Sequence, residues 1–136
     1  MVVSEIMSSH PITVEASEPI GRVMKKLAEA DVRHLLVVDD GALVGIVSDR
    51  DLRSLAPSAL MELEHPREIR KRLEQPISSV MSSDVVSVDP ETEVAEVVDI
   101  MLEQKVGAVP VVDPATDELV GIVSYMDVLR AARDQI

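Results

Sequence analysis

One octapeptide occurs twice in this chain, as Val44-Gly45-Ile46-Val47-Ser48-Asp49-Arg50-Asp51 and again as Val120-Gly121-Ile122-Val123-Ser124-Tyr125-Met126-Asp127. Each copy is an apolar, β-branched run that ends in a serine, with an aspartate three residues further on. The run is typical of a buried strand, and a serine followed at this spacing by an acid is typical of the capping box that begins a helix. A motif that recurs in this way predicts two copies of one structural unit.

The repetition extends along most of the chain. With a shift of 74 positions, Ser4–Asp39 aligns with Ser78–Asp113. The second copy then has two extra residues, because Pro114–Leu119 takes the place of Asp40–Leu43, and the shift becomes 76. Since the insertion is confined to a turn, we expect the flanking strands to keep their register.

Each repeat is predicted to contain a strand, a helix, two strands and a second helix. We divide the chain into a first repeat (1–56), a connector (57–76) and a second repeat (77–136). Apolar residues with helical spacing follow Ser17, which we expect to cap the first helix. The two predicted apolar helix faces are Ile20, Val23, Met24, Leu27 and Ala28, and, in the second repeat, Val94, Val97, Val98, Met101 and Leu102.

The paired strands and their faces predict the fold class. Leu35–Val38 and Val44–Val47 are joined by Asp39-Asp40-Gly41, which is typical of a hairpin. A small sheet with helices on one face leaves its other face bare, and two such sheets could bury these faces against each other. We therefore expect an α/β (α+β) fold of two β-α-β-β-α repeats, packed sheet to sheet with pseudo-twofold symmetry.

Two further helical segments are expected. The second helix of the first repeat is predicted to start near Asp49 and to carry Leu52 and Leu55. In the connector we expect a helical piece over Ile69–Leu73. The prolines of the connector, Pro57, Pro66 and Pro76, are predicted to interrupt regular structure.

Composition and charge exclude several classes of function. The net charge of −12 disfavours nucleic acid and anionic membrane as partners, although Arg67, Arg70, Lys71 and Arg72 form a local basic run. The chain contains no cysteine, and its three histidines show no metal-ligand spacing. We find no nucleophile–base pattern and no Gly-rich phosphate loop. These features predict a soluble, cytoplasmic protein that is not an enzyme and carries neither metal nor cofactor.

The repeated pattern resembles the CBS domain, named after cystathionine β-synthase, in the tandem arrangement called a Bateman module. In each repeat the resemblance rests on three pieces in the same order, and it covers nearly the whole chain. These pieces are Ile6–Val14, Val32–Asp39 and Gly45–Ser48 with Asp51, then Val80–Ser83, Val106–Asp113 and Gly121–Ser124 with Asp127.

The resemblance implies a stand-alone regulatory module that binds AMP, ADP or ATP, or else S-adenosylmethionine, NAD or a diadenosine polyphosphate. It also implies a disk-shaped homodimer that signals to a regulated partner by a conformational change. In the family, the aspartate of the second helix holds the ribose hydroxyls, and the serine three residues earlier lies beside the ribose and phosphate. The adenine lies against backbone near the first and second strands, often those of the partner repeat.

Carried over to this chain, the resemblance implies two nucleotide-binding clefts between the repeats. The residues of the first cleft are Ser48, Arg50, Asp51, Ser82, Val86, Val106, Gly107, Ala108 and Val109. The residues of the second cleft are Ser124, Tyr125, Asp127, Ser8, Ile12, Val32, Arg33, His34 and Leu35. The clefts differ in charge, because Met126, Gly107 and Ala108 stand where the first repeat has Arg50, Arg33 and His34. We therefore expect them to differ in affinity.

Alternatives stay open for several of these residues. The two Ser-x-x-Asp motifs could act only as helix caps, and Arg33 and Arg50 could be surface residues paired with nearby acids. Tyr125, the only aromatic residue, could stack on a base or pack on a neighbouring helix. The rival prediction for the whole chain is a dimeric interaction scaffold whose clefts are empty or degenerate.

Overall fold

The computed structural model describes residues 1–55 and 58–135, so the predicted break at Pro57 lies outside the described residues. The strands are β1 (Ser8–Ser9), β2 (Thr13–Glu15), β3 (His34–Asp39), β4 (Ala42–Ser48), β5 (Ala108–Val112) and β6 (Leu119–Ser124). The α-helices are α1 (Ile20–Ala30), α2 (Asp49–Arg53), α3 (Ala59–Glu64), α4 (Pro66–Leu73), α5 (Val94–Gln104) and α6 (Tyr125–Gln135). The predicted α+β class, with two small sheets, is confirmed.

The chain forms two compact units that do not coincide with the two sequence repeats. One unit combines Met1–Pro11 with Val85–Ile136, and the other is Ile12–Asp84. We call these the split unit and the continuous unit. The sheet of the continuous unit has the order β2-β3-β4, and that of the split unit has the order β1-β6-β5. The short segment that begins each sequence repeat therefore belongs to the unit built mainly from the other repeat.

Strand pairing shows how the two exchanged segments are held. In the split unit, β1 runs antiparallel to β6, with Ser8 opposite Ile122. In the continuous unit, Ser82 and Ile46 exchange both backbone hydrogen bonds at 3.0 Å. These are equivalent positions in the two repeats, so the exchange is reciprocal. Ser82 forms only an isolated bridge, whereas Ser8 lies in a two-residue strand.

The hairpin between β3 and β4 has the geometry that its sequence predicts. Asp40 and Gly41 have φ of 51° and 83°, as a two-residue type I′ turn requires. In the second repeat the longer connection is closed by hydrogen bonds from Asp117 N to Asp113 O and from Asp113 N to Glu118 O, at 2.7 and 2.8 Å. The two extra residues are thus accommodated between β5 and β6, which keep the antiparallel pairing of the first repeat.

Each unit has its own apolar core. That of the continuous unit consists of Val14, Ile20, Val23, Leu27, Leu35, Val37, Val47, Leu52 and Ile77. That of the split unit consists of Val3, Val97, Val109, Val111 and Val123. Val3 and Ile77 lie in short 3₁₀ helices of the exchanged segments, so each segment contributes a fully buried side chain to the unit it joins. On the predicted apolar face of α1, Ile20, Val23 and Leu27 are buried, whereas Ala28 is exposed. On that of α5, Val97 is buried and Leu102 is 71% exposed.

The structure corrects two local predictions and confirms a third. Pro19, not Ser17, occupies the N-cap of α1, and no side chain of a described residue caps that helix. Leu55 lies in the turn after α2 rather than within it. The break predicted at Pro66 is confirmed, because α3 ends at Glu64 and Pro66 begins α4, where the first helical turn has no use for the missing N–H of a proline. Helix α3 was not predicted, since its leucines are exposed and follow no buried stripe.

Candidate functional site

The junction of β4 and α2 carries the first Ser-x-x-Asp motif. Ser48 ends the strand in an extended conformation and caps the helix. Asp51 N donates to Ser48 Oγ at 3.0 Å, and Ser48 N donates to Asp51 Oδ2 at 3.2 Å. The predicted capping box is therefore present. It fixes the Asp51 side chain at the surface through one carboxylate oxygen.

Neighbouring strands bring other candidate residues to this junction. His34 lies opposite Ser48 across the β3–β4 ladder, and Asp49 N donates to Arg33 O at 2.9 Å. Ser82 forms a backbone bridge to Ile46 of β4, and Ile46 is two residues before Ser48. Within the continuous unit, a short polar surface thus surrounds the start of α2.

The His34 imidazole at this junction has a shifted pKa. Burial lowers the pKa of the His34 imidazole below its ordinary value of 6.5. The negative charges of Asp49 and Asp51 oppose this shift, and Arg33 adds to it. Because burial outweighs the two carboxylates, the neutral imidazole is favoured in the folded protein.

A cleft of about 400 Å³ opens between α1 and α2 in the same unit. Asp49, Leu52 and Arg53 line it from α2, whereas Arg50 and Asp51 do not. This division follows helical periodicity, which places Asp49 and Arg53 on one face. Arg53 Nη2 lies 3.2 Å from Asp49 Oδ2, so these two charges are already paired. The cleft therefore lies on a different side of α2 from the capping box.

The junction of β6 and α6 repeats the motif with tighter contacts. Ser124 N donates to Asp127 Oδ2 at 2.8 Å, and Ser124 Oγ lies 3.1 Å from the same oxygen. Asp127 N also lies 3.3 Å from Ser124 Oγ. The other carboxylate oxygen, Oδ1, accepts from Arg130 Nη1 at 3.1 Å. The Asp127 side chain is only 10% exposed, and both of its carboxylate oxygens accept hydrogen bonds.

Backbone contacts place other predicted residues near the second junction. Ala108 lies opposite Ser124 across the β5–β6 ladder, and Tyr125 N donates to Gly107 O at 3.0 Å. Ser8 pairs with Ile122, two residues before Ser124. Each Ser-x-x-Asp motif thus has its predicted partner serine, Ser8 or Ser82, in its own unit.

The other predicted residues divide between the two units. Ile12, Val32, Arg33, His34 and Leu35 lie in the continuous unit, and Val86, Val106, Gly107, Ala108 and Val109 lie in the split unit. Ile12, Val86 and Val106 are partly exposed, whereas Leu35 and Val109 are buried. The completion of each cleft by these segments of the other repeat stays a prediction.

Arg130 is a site residue that was not predicted from the sequence. Its spacing of three residues from Asp127 on a predicted helix is the signal that could have identified it. Among the described residues, no group of histidine, aspartate and glutamate side chains has an arrangement suited to a metal ion. In the same part of the chain, no helix is both long and apolar enough to cross a lipid bilayer.

A family model of the CBS domain matches residues 3–58 and 77–134, one match for each repeat. The chain belongs to the CBS domain family. A CBS domain-containing protein of Dictyostelium discoideum is 30% identical over 130 residues, which cover 95% of this chain and 89% of that protein. A Methanocaldococcus jannaschii protein is 29% identical over 136 residues, but these cover only 32% of its length.

Solved CBS domain structures share the fold over the full chain. The CBS domain pair of protein MJ0100, in complex with 5′-methylthioadenosine and S-adenosyl-L-methionine, has a TM-score of 0.81 at 27% identity, with 100% of this chain and 98% of that chain covered. CBSX2 in complex with AMP has a TM-score of 0.78 at 30% identity, with 98% and 96% covered. Both structures hold ligands that contain adenosine.

Proposed function

We propose that this CBS domain pair is a regulatory module that binds an adenosine-containing ligand, with Asp51 accepting hydrogen bonds from the ribose hydroxyls. The proposal rests on the hydrogen bonding of the two Asp51 carboxylate oxygens. Its Oδ2 is oriented by Ser48 N, whereas its Oδ1 accepts no hydrogen bond from any described residue. An exposed carboxylate that is held in place and still has free lone pairs suits the two donors of a ribose diol.

The neighbouring charge favours a ligand that also carries phosphate. Arg50 is exposed, adjacent to Asp51, and forms no ion pair with the part of the chain that is described. A guanidinium can bind phosphate oxygens through two parallel hydrogen bonds, and it offsets the repulsion between phosphate and the nearby acids. We therefore place AMP, ADP and ATP ahead of uncharged adenosyl compounds at this motif. The AMP held by the similar CBSX2 supports this order.

We propose that binding acts on a partner protein through a population shift rather than through a reaction. A ligand changes a conformational equilibrium only by the difference between its affinities for the two states. Within the described part of the chain, no histidine is hydrogen-bonded to Ser48 or Ser124 as a general base, and both serines interact with the aspartates of their own motifs. Both motifs are thus arranged for recognition.

The apolar surface of the split unit favours a second, compatible function as an interaction module. A groove of about 390 Å³ runs between α5 and α6. It is lined largely by small and apolar residues: Val94, Ala95, Val98, Val128, Ala131 and Ala132. Leu102 and Leu129 on the same helices are 71% and 58% exposed. We propose that a second copy of this chain covers this surface, which gives a homodimer.

Calorimetric titration of nucleotide-stripped protein tests the ligand proposal. AMP, ADP, ATP, NAD and S-adenosylmethionine are titrated in turn into wild type and Asp51→Ala. Saturable binding that weakens in the variant supports the proposal. Equal affinities in the two proteins would reject Asp51 as the ribose ligand. The absence of heat and of a melting shift with every compound would leave the interaction module as the better proposal.

A further inference from the structure

The two Ser-x-x-Asp motifs differ in how the aspartate uses its second oxygen. Asp127 Oδ1 accepts a hydrogen bond from Arg130 Nη1 at 3.1 Å, whereas Asp51 Oδ1 has no such partner among the described residues. The residue that corresponds to Arg130 in the first repeat is Ser54. Ser54 Oγ donates to the backbone oxygen of Asp51 at 2.7 Å and does not contact the carboxylate.

We infer that Arg130 is a specificity-determining residue. Its hydrogen bond to Asp127 Oδ1 competes with ribose, and we call this competition the closure of the second motif. The closure makes the first motif the higher-affinity site. The inference rests on the proposed function, because it concerns the same ribose contact. A diol that bonds to both carboxylate oxygens competes with Arg130 for Oδ1 and with Ser124 for Oδ2. At Asp51 the same diol competes only with the hydrogen bond that Ser48 N donates to Oδ2.

The residue that precedes the aspartate in each motif also favours ligand binding at the first motif. Met126 occupies the position of Arg50, so the second motif has no cation there for a phosphate. Arg130 is the nearest cation on its own helix, and it is already paired with Asp127. The 59% exposure of Arg130 leaves it free to turn away, and the closure is therefore reversible.

The size of the effect follows from the exposure of the pair. Partly exposed ion pairs contribute about 0.5 to 1 kcal/mol, which corresponds to roughly a two- to fivefold change in a dissociation constant. Substitution Arg130→Ser, which copies the first repeat, should therefore tighten binding at the second motif by that factor. Substitution Ser54→Arg should weaken binding at the first motif. Ser54 has helical backbone angles, so an arginine side chain at this position would leave the backbone in a direction similar to that of Arg130.

The test isolates one motif at a time. Asp51→Ala leaves the second motif, and the double variant Asp51→Ala/Arg130→Ser removes the closure from it. Both are titrated with AMP and with 2′-deoxy-AMP, which lacks one of the two ribose donors. The expected result is roughly two- to fivefold tighter AMP binding by the double variant, with a smaller gain for 2′-deoxy-AMP. In the Asp127→Ala background, Ser54→Arg should weaken AMP binding.

Three outcomes would overturn the inference in different ways. Equal AMP affinity with and without Arg130→Ser would show that the ion pair does not compete with ribose. Weaker binding after Arg130→Ser would show that Arg130 turns to the phosphate and assists binding. If AMP binds neither wild type nor any variant, the proposed function fails at the ribose contact, and the inference fails with it.

Discussion

Gly121 lies directly beneath Met7, so closely that a Cβ atom on this glycine would be 2.7 Å from Met7 Sδ and 2.9 Å from Ser8 O. Gly45 has the equivalent relationship to Met81, with Ser82 O at 3.0 Å from its Cβ position. The repeated glycine of the octapeptide therefore allows the exchanged segment to lie flat on the last strand of each sheet. This close approach gives a physical reason for glycine at both positions.

Substitution Gly121→Ala should destabilise the protein by about 1 to 3 kcal/mol, the usual cost of overpacking a well-packed site. The methionine side chain can move, but the Ser8 carbonyl belongs to the β1–β6 ladder and cannot move without breaking it. Gly45→Ala should behave alike. The free energy of unfolding in urea measures both.

Gly21→Ala is the matched control. Gly21 lies inside α1, and its nearest neighbour, Leu73 Cβ, would be 3.4 Å from the new methyl group, an ordinary contact. Because alanine favours helix over glycine by about 0.5 to 1 kcal/mol, this variant should be as stable as wild type or more stable. Similar losses in all three variants would contradict the close-approach explanation.

The elements that could be predicted from sequence are those whose signals are local. The helical spacing of Ile20, Val23 and Leu27 corresponds to the buried face of α1, and both capping boxes form as their spacing indicates. The Asp40-Gly41 turn follows from the two positive φ angles that such residues tolerate. In each case the interacting residues lie within a few positions of one another.

The remaining features depend on contacts that no local pattern specifies. Ser8 pairs with Ile122 in the sheet of the second repeat, although the two residues are more than a hundred positions apart. The association of Ser8 with Ser124 was predicted from the family resemblance and not from periodicity. Helix α3 has its leucines in solvent and so leaves no buried stripe to detect. The spacing of Arg130 was visible, but its choice of Asp127 Oδ1 depends on side-chain geometry.

Substitution Asp51→Asn should weaken binding of AMP by about ten- to a hundredfold, because hydrogen bonds to a charged group contribute about 1.5 to 3 kcal/mol. The amide keeps one oxygen but loses the charge and the second acceptor. Calorimetric titration gives the affinity. Asp49→Asn is the control, since Asp49 is paired with Arg53 on another side of the helix. A comparable loss in the control would indicate a general charge effect instead of a ribose contact.

Substitution Leu129→Glu should convert the proposed homodimer to monomer. Leu129 is 58% exposed in the single chain, so the change should alter the stability of the monomer by no more than about 0.5 kcal/mol. At an apolar interface, however, it would bury an unpaired charge. Light scattering coupled to gel filtration measures the mass at several protein concentrations.

Leu63→Glu provides the comparison for that experiment. Leu63 lies on α3 and is 81% exposed. It belongs to the continuous unit, whereas α5 and α6 belong to the split unit. It should leave the dimer intact. If wild type is monomeric, or if both variants dissociate it equally, the α5–α6 surface is not the interface.

Substitution His34→Gln should remove an acid-sensitive part of the protein's stability. Burial lowers the pKa of His34 in the folded state below its ordinary value of 6.5, against the opposing carboxylates of Asp49 and Asp51. The unfolded chain therefore binds the proton more readily than the folded chain does. Stability from this residue is complete above the unfolded pKa and is lost as the pH falls below it, until the folded pKa is passed.

The difference in unfolding free energy between wild type and His34→Gln should thus shrink or reverse as the pH is lowered from about 8 to about 5. Urea unfolding at several pH values measures this difference, and His65→Gln, at an exposed connector position, corrects for the loss of a histidine in general. A constant difference across the range would mean that His34 titrates alike in the folded and unfolded protein. A difference that grows toward acid would mean that the two aspartates, rather than burial, dominate its environment.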